Sequence, residues 1–180
     1  MARPPTDARD RLLVAAARLF YAQGIAATGI DEVLREAGVA KMTLYHHFGS
    51  KEGLAVAFLE WRHNAWMTRF QAHLEQAAPG LVGLADALEP WFRDGDFRGC
   101  AFINTVCEGR SAPVLVEAAR RHKEDLRMVV QGRCPPRAAS SLADEALIII
   151  EGAIIRRQMT GDPEVIEVVR RLLGRLVVPS

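Results

Sequence analysis

The chain has 180 residues, of which 49% are hydrophobic and 25% are charged, and its formal net charge is +1 at neutral pH. These values are typical of a folded globular protein and argue against intrinsic disorder. The near-neutral charge argues against a histone-like or polybasic binder, but it is compatible with a regulator whose cations are concentrated at one surface.

The first predicted helix is amphipathic and follows a polar N-terminus. Its apolar side carries Leu12, Leu13, Ala16, Leu19 and Phe20. Nothing before it resembles a secretory signal, and the longest apolar run, at residues 146–150, is too short to cross a bilayer. We therefore expect a cytoplasmic protein with no membrane association.

Two short predicted helices follow, separated by a glycine. The first has an apolar face at helical spacing, formed by Ile30, Val33, Leu34 and Ala37. Thr28 followed by Asp31 resembles a capping box, so we expect the Thr28 hydroxyl to accept a backbone hydrogen bond at a helix start near Gly29. Gly38 suits a left-handed C-cap. This arrangement predicts a helix-turn-helix.

The second short helix, over residues 40–47, is predicted to bury Leu44 and to turn a polar, basic face outward. A recognition helix places such side chains on base edges in the major groove. Lys41 suits guanine, Met42 suits the thymine methyl group and Thr43 offers a hydroxyl. Phosphate contacts are expected from surrounding hydroxyls and cations, and the helix start at residues 50–51 suits an anion. The expected DNA contacts are Thr28, Lys41, Met42, Thr43, Tyr45, His46, His47 and Lys51. The alternative is an ordinary helical hairpin with a solvated polar face.

These segments resemble the tetracycline-repressor (TetR) family of transcription regulators. The resemblance rests on Leu-Phe-Tyr-Ala-Gln-Gly at 19–24, Ala-Gly-Val at 37–39, Thr-Leu-Tyr at 43–45, His-Phe at 47–48 and Ser-Lys-Glu-Gly-Leu at 50–54. It implies an all-α homodimer, usually a repressor that is released from a palindromic operator by a small ligand. Ala40 stands where the family very often has serine, and Met42 where a small residue is common, so the operator sequence does not transfer from a relative.

The resemblance also implies the domain organisation. We expect a three-helix helix-turn-helix DNA-binding domain at residues 1–53 and a helical ligand-binding and dimerisation domain at residues 54–180. Breaks at 79–80, 94–95, 110–113, 134–136 and 161–163 separate the later helices. The helix from 50 toward 77 is long enough to join the two domains, so its tilt would change the distance between two recognition helices. Residues 99–108, Gly-Cys-Ala-Phe-Ile-Asn-Thr-Val-Cys-Glu, resemble a segment common in one branch of the family.

A ligand pocket is expected in the middle of the chain, where the family encloses its inducer. Large apolar side chains with a few polar groups are typical of a binding cavity, and here they favour a hydrophobic or aromatic effector. Ordinary core packing is the alternative for each of them. The expected lining is Trp61, Trp66, Phe70, Trp91, Phe92, Phe102, Asn104, Cys107 and Met128.

The last two predicted helices are the candidate dimer interface. Both carry apolar residues at helical spacing, so one face can serve the monomer core and another a second copy. The alternative is an internal hairpin in a monomer. The expected interface residues are Leu147, Ile150, Ile154, Val165, Val168, Leu172 and Leu176.

Two other classes of protein were weighed. Enzymatic motifs are missing from the sequence, since there is no Gly-rich phosphate loop, His-Glu-x-x-His pattern or nucleophile elbow. We expect no catalytic residue, metal or cofactor. The second alternative is a helical ligand-binding or adaptor protein without specific DNA binding.

Two of the cysteines lie on one predicted helix. Cys100 and Cys107 are about 10 Å apart along it, which is too far for an unstrained disulfide. We therefore expect buried, reduced thiols.

Overall fold

The computed structural model describes residues 7–108, 112–136 and 139–176. Within those ranges the chain forms nine helices and no strand, which confirms the predicted all-α fold. The helices are α1 (Ala8–Gln23), α2 (Ile30–Ala37), α3 (Lys41–Phe48), α4 (Lys51–Gln76), α5 (Val82–Phe92), α6 (Ala101–Cys107), α7 (Pro113–Gln131), α8 (Ala139–Thr160) and α9 (Val165–Leu176).

The chain packs into two compact units. The first contains the described residues up to Asn64 together with those from Ala101 to Arg120, and the second contains Ala65–Cys100 and the described residues from Arg121 onward. Helices α4 and α7 each contribute to both units. The division at residue 53 follows the sequence motif rather than the packing, and as a functional boundary it stays a prediction.

The core of the first unit is built from one apolar face of each helix. Phe20 of α1 meets Phe58 of α4 edge to face, with 5.6 Å between the ring centroids. Such a pair contributes about 0.5–1.5 kcal/mol beyond the burial of its area. The apolar face predicted for α2 is confirmed, because Val33, Leu34 and Ala37 are buried. The other large buried side chains include Leu12, Leu19, Leu44, Leu54 and Leu59.

In the second unit α9 packs against both α5 and α8. Each of the three helices turns a row of aliphatic or aromatic side chains toward the others. The fully buried members include Leu84, Leu88, Phe92, Ile150, Ile166 and Leu173.

An ion-pair network ties α5 to α9. The guanidinium of Arg170 donates to Asp86 at 3.1 Å and to Glu89 at 2.8 Å. Arg93 donates to Glu89 at 2.8 Å and to Glu164 at 2.7 Å. These hydrogen bonds, from Arg93 first and then from Arg170, hold the pKa of Glu89 below its ordinary value. The network is therefore sensitive to acid.

The predicted breaks between helices fall where the described helices end. Gly80 and Gly161 adopt positive φ values of 75° and 71°, which glycine reaches without steric cost. The break predicted at residues 110–113 lies in part outside the described residues.

Candidate nucleic-acid interface

Helix α3 presents an exposed face on a buried anchor. Leu44 is fully buried, whereas Met42 is 77% exposed although its side chain is apolar. Among the predicted contacts on this helix, the exposed ones are Lys41, Met42, Tyr45 and His46, and the half-buried ones are Thr43 and His47. The exposed face therefore combines a cation, a hydroxyl, an imidazole and an apolar side chain, which together suit base edges and phosphates.

The turn before α3 has the geometry that the sequence predicted. Gly38 is left-handed, with φ 64° and ψ 41°, and its amide donates to the carbonyl of Leu34. Ala40 then precedes α3 and offers no side-chain hydrogen bond to the first turn. The amide of Thr43 donates to the carbonyl of Ala40 at 3.0 Å. The positive end of the helix dipole lies beside Lys41 with no side-chain cap, so a negative group is favoured there.

The role predicted for Thr28 is wrong. Its side chain is only 1% exposed, and its hydroxyl donates to the carbonyl of Gly24 at 2.7 Å. The residue before α2 is Gly29, and no side chain caps that helix. Because the Thr28 hydroxyl is buried and already bonded, it is a structural group of the turn and is unavailable to a phosphate.

The start of α4 has a side-chain cap, and its phosphate contact stays a prediction. The Ser50 hydroxyl accepts a hydrogen bond from the amide of Gly53 at 3.0 Å, so it caps the helix. The ammonium of Lys51 donates to the carbonyl of Ala26 at 3.3 Å. An ammonium has three donors, so this bond leaves Lys51 two for a phosphate.

The acidic side chains of α2 are engaged by α1. The guanidinium of Arg18 donates twice to the carboxylate of Glu36, and this pairing lowers the pKa of Glu36. Glu32 accepts a hydrogen bond from the Gln23 amide at 3.2 Å. Of these contacts, the Arg18–Glu36 pair offsets one negative charge of α2.

One residue of this region escaped the sequence analysis. Glu108, directly after α6, accepts hydrogen bonds from the amides of Ile25 and Ala26 at 2.8 and 2.7 Å. The resemblance of residues 99–108 to a family segment included this position but gave it no role. Its partners lie more than eighty positions away in the sequence, so no local pattern reveals the contact.

The predicted ligand residues divide between the two units. In the first, Phe102 is buried, Asn104 is half-buried, and Trp61 and Cys107 are exposed. The expectation that Cys107 is buried is therefore wrong, whereas Cys100 is buried as expected. In the second unit, Phe92 belongs to the core and Met128 is 67% exposed on α7, so neither lines the cleft described next.

Three of the predicted ligand residues come together in a cleft between α4 and α5. Trp66 stacks on Phe70 with 4.8 Å between ring centroids, and Trp91 meets Trp66 edge to face at 5.5 Å. The cleft has a volume of about 190 Å³. The indole N–H of Trp91 has no hydrogen-bond partner among the described residues. The lining is completed by Arg69, His73, Ala87, Leu88, Pro90 and Asp94.

The predicted dimer residues also divide. Ile150, Ile154 and Val165 are buried within their own unit, so the expectation that they meet a second copy is wrong. Leu147 and Leu176 are half-buried, and Val168 and Leu172 are exposed. The structure adds three exposed apolar side chains on α8, of which Ile148 and Met159 are the most exposed: Ile148 (73%), Ile155 (40%) and Met159 (81%).

Membrane-spanning helices and metal-binding clusters are both absent from the described residues. No helix in the described ranges is long and apolar enough to cross a membrane. Those ranges also hold no group of three or more His, Cys, Asp or Glu side chains placed to bind a metal ion.

Comparisons with known proteins converge on one family. Residues 12–58 match the family model described as bacterial regulatory proteins, tetR family. The chain is 31% identical to the uncharacterized HTH-type transcriptional regulator Rv0196 of Mycobacterium tuberculosis, over 94% of each chain.

Solved structures give the same result. The crystal structure of SCO4454, a TetR-family transcriptional regulator from Streptomyces coelicolor, superposes with a TM-score of 0.82 and 29% identity, over 94% of this chain and 93% of that one. The multidrug binding protein EbrR, solved in complex with malachite green, superposes with a TM-score of 0.79 over 98% of this chain and 100% of its own; its 22% identity speaks for the fold alone.

Proposed function

Because the chain belongs to the tetR family of bacterial regulatory proteins, we propose that it represses transcription by binding a palindromic operator as a homodimer that a small ligand releases. Membership makes it a DNA-binding helix-turn-helix transcriptional regulator rather than an enzyme. A bacterial regulator of this kind works in the cytoplasm, where the DNA lies.

The observation that carries the proposal is the exposed face of α3 above the buried Leu44. We assign base contacts to Lys41, Met42 and Thr43. Phosphates are contacted by side chains on the flanks of the helix and at the next helix start, namely Tyr45, His46, His47 and Lys51. The amides at the start of α3 add an anion-binding position that Ala40 leaves open.

The homodimer is supported by the apolar side chains that α8 and α9 expose. Ile148, Ile155 and Met159 share one face of α8, and Val168 and Leu172 share one face of α9. Added together, the exposed fractions of these five residues equal between two and three fully exposed apolar residues per protomer. Exposed apolar surface of this kind is typical of a protein–protein interface. A second copy fits best, because reading a palindrome requires two recognition helices about one DNA turn apart.

The ligand is proposed to bind between α4 and α5. The cleft is smaller than the roughly 300–1,000 Å³ of typical ligand pockets and close to the size of a cavity of about 150 Å³ that accepts benzene. It therefore suits an aromatic compound of one or two rings. The stacked Trp66 and Phe70 supply flat surfaces, and Trp91 adds a third aromatic side chain to the lining.

The test of operator binding is selection of duplexes from a random pool, followed by titration of the selected duplex at two salt concentrations. Enrichment of a palindrome with half-sites about one helical turn apart, and weaker binding at high salt, is the expected result. No enrichment by the ligand-free protein contradicts the proposal and favours an adaptor without specific DNA binding.

The ligand site is tested through its own fluorescence, because two of the three tryptophans line the cleft. Phenol and 2-naphthol, with one and two aromatic rings and one hydroxyl each, are expected to quench emission and to lower operator affinity. Trp66→Leu replaces one ring of the stacked pair by an aliphatic side chain and should weaken both compounds, whereas Trp61→Leu changes a tryptophan outside the cleft and should leave their binding unchanged. Parent-like ligand binding by Trp66→Leu, or ligand binding with no effect on the operator, refutes the assigned role.

A further inference from the structure

The turn between α1 and α2 has backbone amides that no helix satisfies. Residues 24–29 separate the two helices, and the amides of Ile25 and Ala26 point away from both. The carboxylate of Glu108 accepts one hydrogen bond on each oxygen, Oε1 from Ile25 at 2.8 Å and Oε2 from Ala26 at 2.7 Å. A carboxylate bonded by two amides is a strong, directional contact.

Two further side chains hold the same turn from its carbonyl side. Lys51 donates to the carbonyl of Ala26 at 3.3 Å, and Thr28 donates to the carbonyl of Gly24 at 2.7 Å. The backbone groups of residues 24–26 are thus bonded by Glu108 after α6, by Lys51 of α4 and by Thr28 of the turn itself. This much bonding leaves the turn little freedom, and the turn sets where α2 begins.

Gly24 makes the contact with Glu108 possible. It adopts φ 91°, and a Cβ atom at this position would lie 2.8 Å from Oε1 of Glu108. A larger residue therefore meets both backbone strain and the carboxylate itself. The glycine and the glutamate form one arrangement, although they are far apart in the sequence.

We propose that Glu108 is a positioning residue for DNA binding: by holding the α1–α2 turn, its carboxylate fixes α2, and through α2 the recognition helix α3, in the orientation that binds the operator. The inference rests on the proposed operator binding. The contact also gives the end of α6 a direct hold on the helix-turn-helix. A hydrogen bond is lost at about 3.6 Å, so a displacement of this helix end by less than about 1 Å releases both amides together.

The main variant is Glu108→Gln, which keeps the size of the side chain. Its amide oxygen accepts one of the two hydrogen bonds, and its NH₂ group opposes the second amide. Operator affinity is expected to fall about tenfold for Glu108→Gln and up to about a hundredfold for Glu108→Ala, the range for hydrogen bonds to charged groups. Hydrogen exchange at Ile25 and Ala26 should accelerate by at least the same factors.

The matched control is Glu117→Gln, which neutralises a half-buried glutamate of the same unit that pairs with Arg120. It should bind the operator like the parent. A double-mutant cycle that combines Glu108→Gln with Gly24→Ala gives independent evidence, because a methyl group at position 24 displaces the carboxylate of Glu108. If the two positions act through one contact, the double variant loses much less affinity than the product of the single losses.

The outcomes separate cleanly. Parent-like operator binding by Glu108→Gln, or additive losses in the cycle, overturns the inference. A Glu108→Gln protein that fails to fold, judged by its thermal unfolding, assigns Glu108 to the stability of the unit and also overturns it. If the parent itself selects no duplex, the proposed function fails instead, and exchange at the turn alone then decides whether Glu108 holds these amides.

Discussion

Replacing Ile148 with aspartate tests whether dimerisation through α8 supports operator binding. Ile148 is 73% exposed, and full burial of an isoleucine side chain contributes about 1.5–3 kcal/mol. Ile148→Asp therefore removes about 1–2 kcal/mol from each protomer, and a two-fold axis doubles that loss to about 2–4 kcal/mol. The dimer dissociation constant should rise by roughly thirty- to several-hundredfold. The cost of burying a charged group adds to this rise.

The assay is sedimentation equilibrium over a range of protein concentrations, together with titration of the selected operator. The variant should remain folded, since the changed side chain faces solvent in the single chain, but it should dissociate and bind a full palindrome more weakly. Met128→Asp is the matched control, because Met128 is a comparably exposed apolar residue, in the last turn of α7 and outside the proposed interface. An Ile148→Asp protein that stays dimeric and binds like the parent refutes the assigned interface.

Two further predictions concern the DNA contacts and the α5–α9 ion pairs. Lys41→Ala should relax base preference at one operator position by about 1–3 kcal/mol, whereas Lys51→Ala should weaken all duplexes alike and lower the salt slope by about one. Titration of matched and mismatched duplexes at several salt concentrations distinguishes them, and parent-like binding by both variants contradicts the recognition helix. Arg170→Met should lower the free energy of unfolding by about 0.5–1 kcal/mol at pH 7, the upper part of the range for solvent-accessible ion pairs. The hydrogen bonds of Arg170 help to lower the folded-state pKa of Glu89. The stabilisation from this pair is therefore complete above the pKa of glutamate in the unfolded chain, about 4.3. It is lost as the pH falls through the folded-state pKa of Glu89. Urea unfolding at pH 7 and below pH 4.3 should therefore show the gap between parent and variant narrowing in acid, and a gap that does not change with pH speaks against the network.

The elements that the sequence predicts well depend on local periodicity and backbone chemistry. The apolar spacing of α2, the left-handed Gly38 and the buried Leu44 all follow from short patterns. Thr28 fails because a hydroxyl at that position has two partners within reach. It bonds back to the carbonyl of Gly24 instead of capping α2, and both contacts are compatible with the same sequence.

The residues that sequence analysis misplaces depend on tertiary packing. Helix α8 is apolar on nearly all sides, so periodicity does not separate Ile150 and Ile154, which face the core, from Ile148, which faces solvent. Glu108 is a harder case, because its proposed role depends on hydrogen bonds to a turn that is distant in the sequence. Only the folded chain brings these groups together.

Helix α5 lies between the aromatic cleft and α9, so it would connect the proposed ligand binding with the proposed dimerisation. Trp91 of α5 lines the cleft, and α9, which packs against α5, carries the exposed Val168 and Leu172. A ligand that shifts α5 would therefore act on a helix whose neighbour, α9, carries part of the proposed dimer surface. Thermodynamic reciprocity then requires that dimerisation change the affinity for the ligand by the same factor as the ligand changes dimerisation. For such a protein, the ligand concentration that releases half of the operator would depend partly on the concentration of the regulator in the cell.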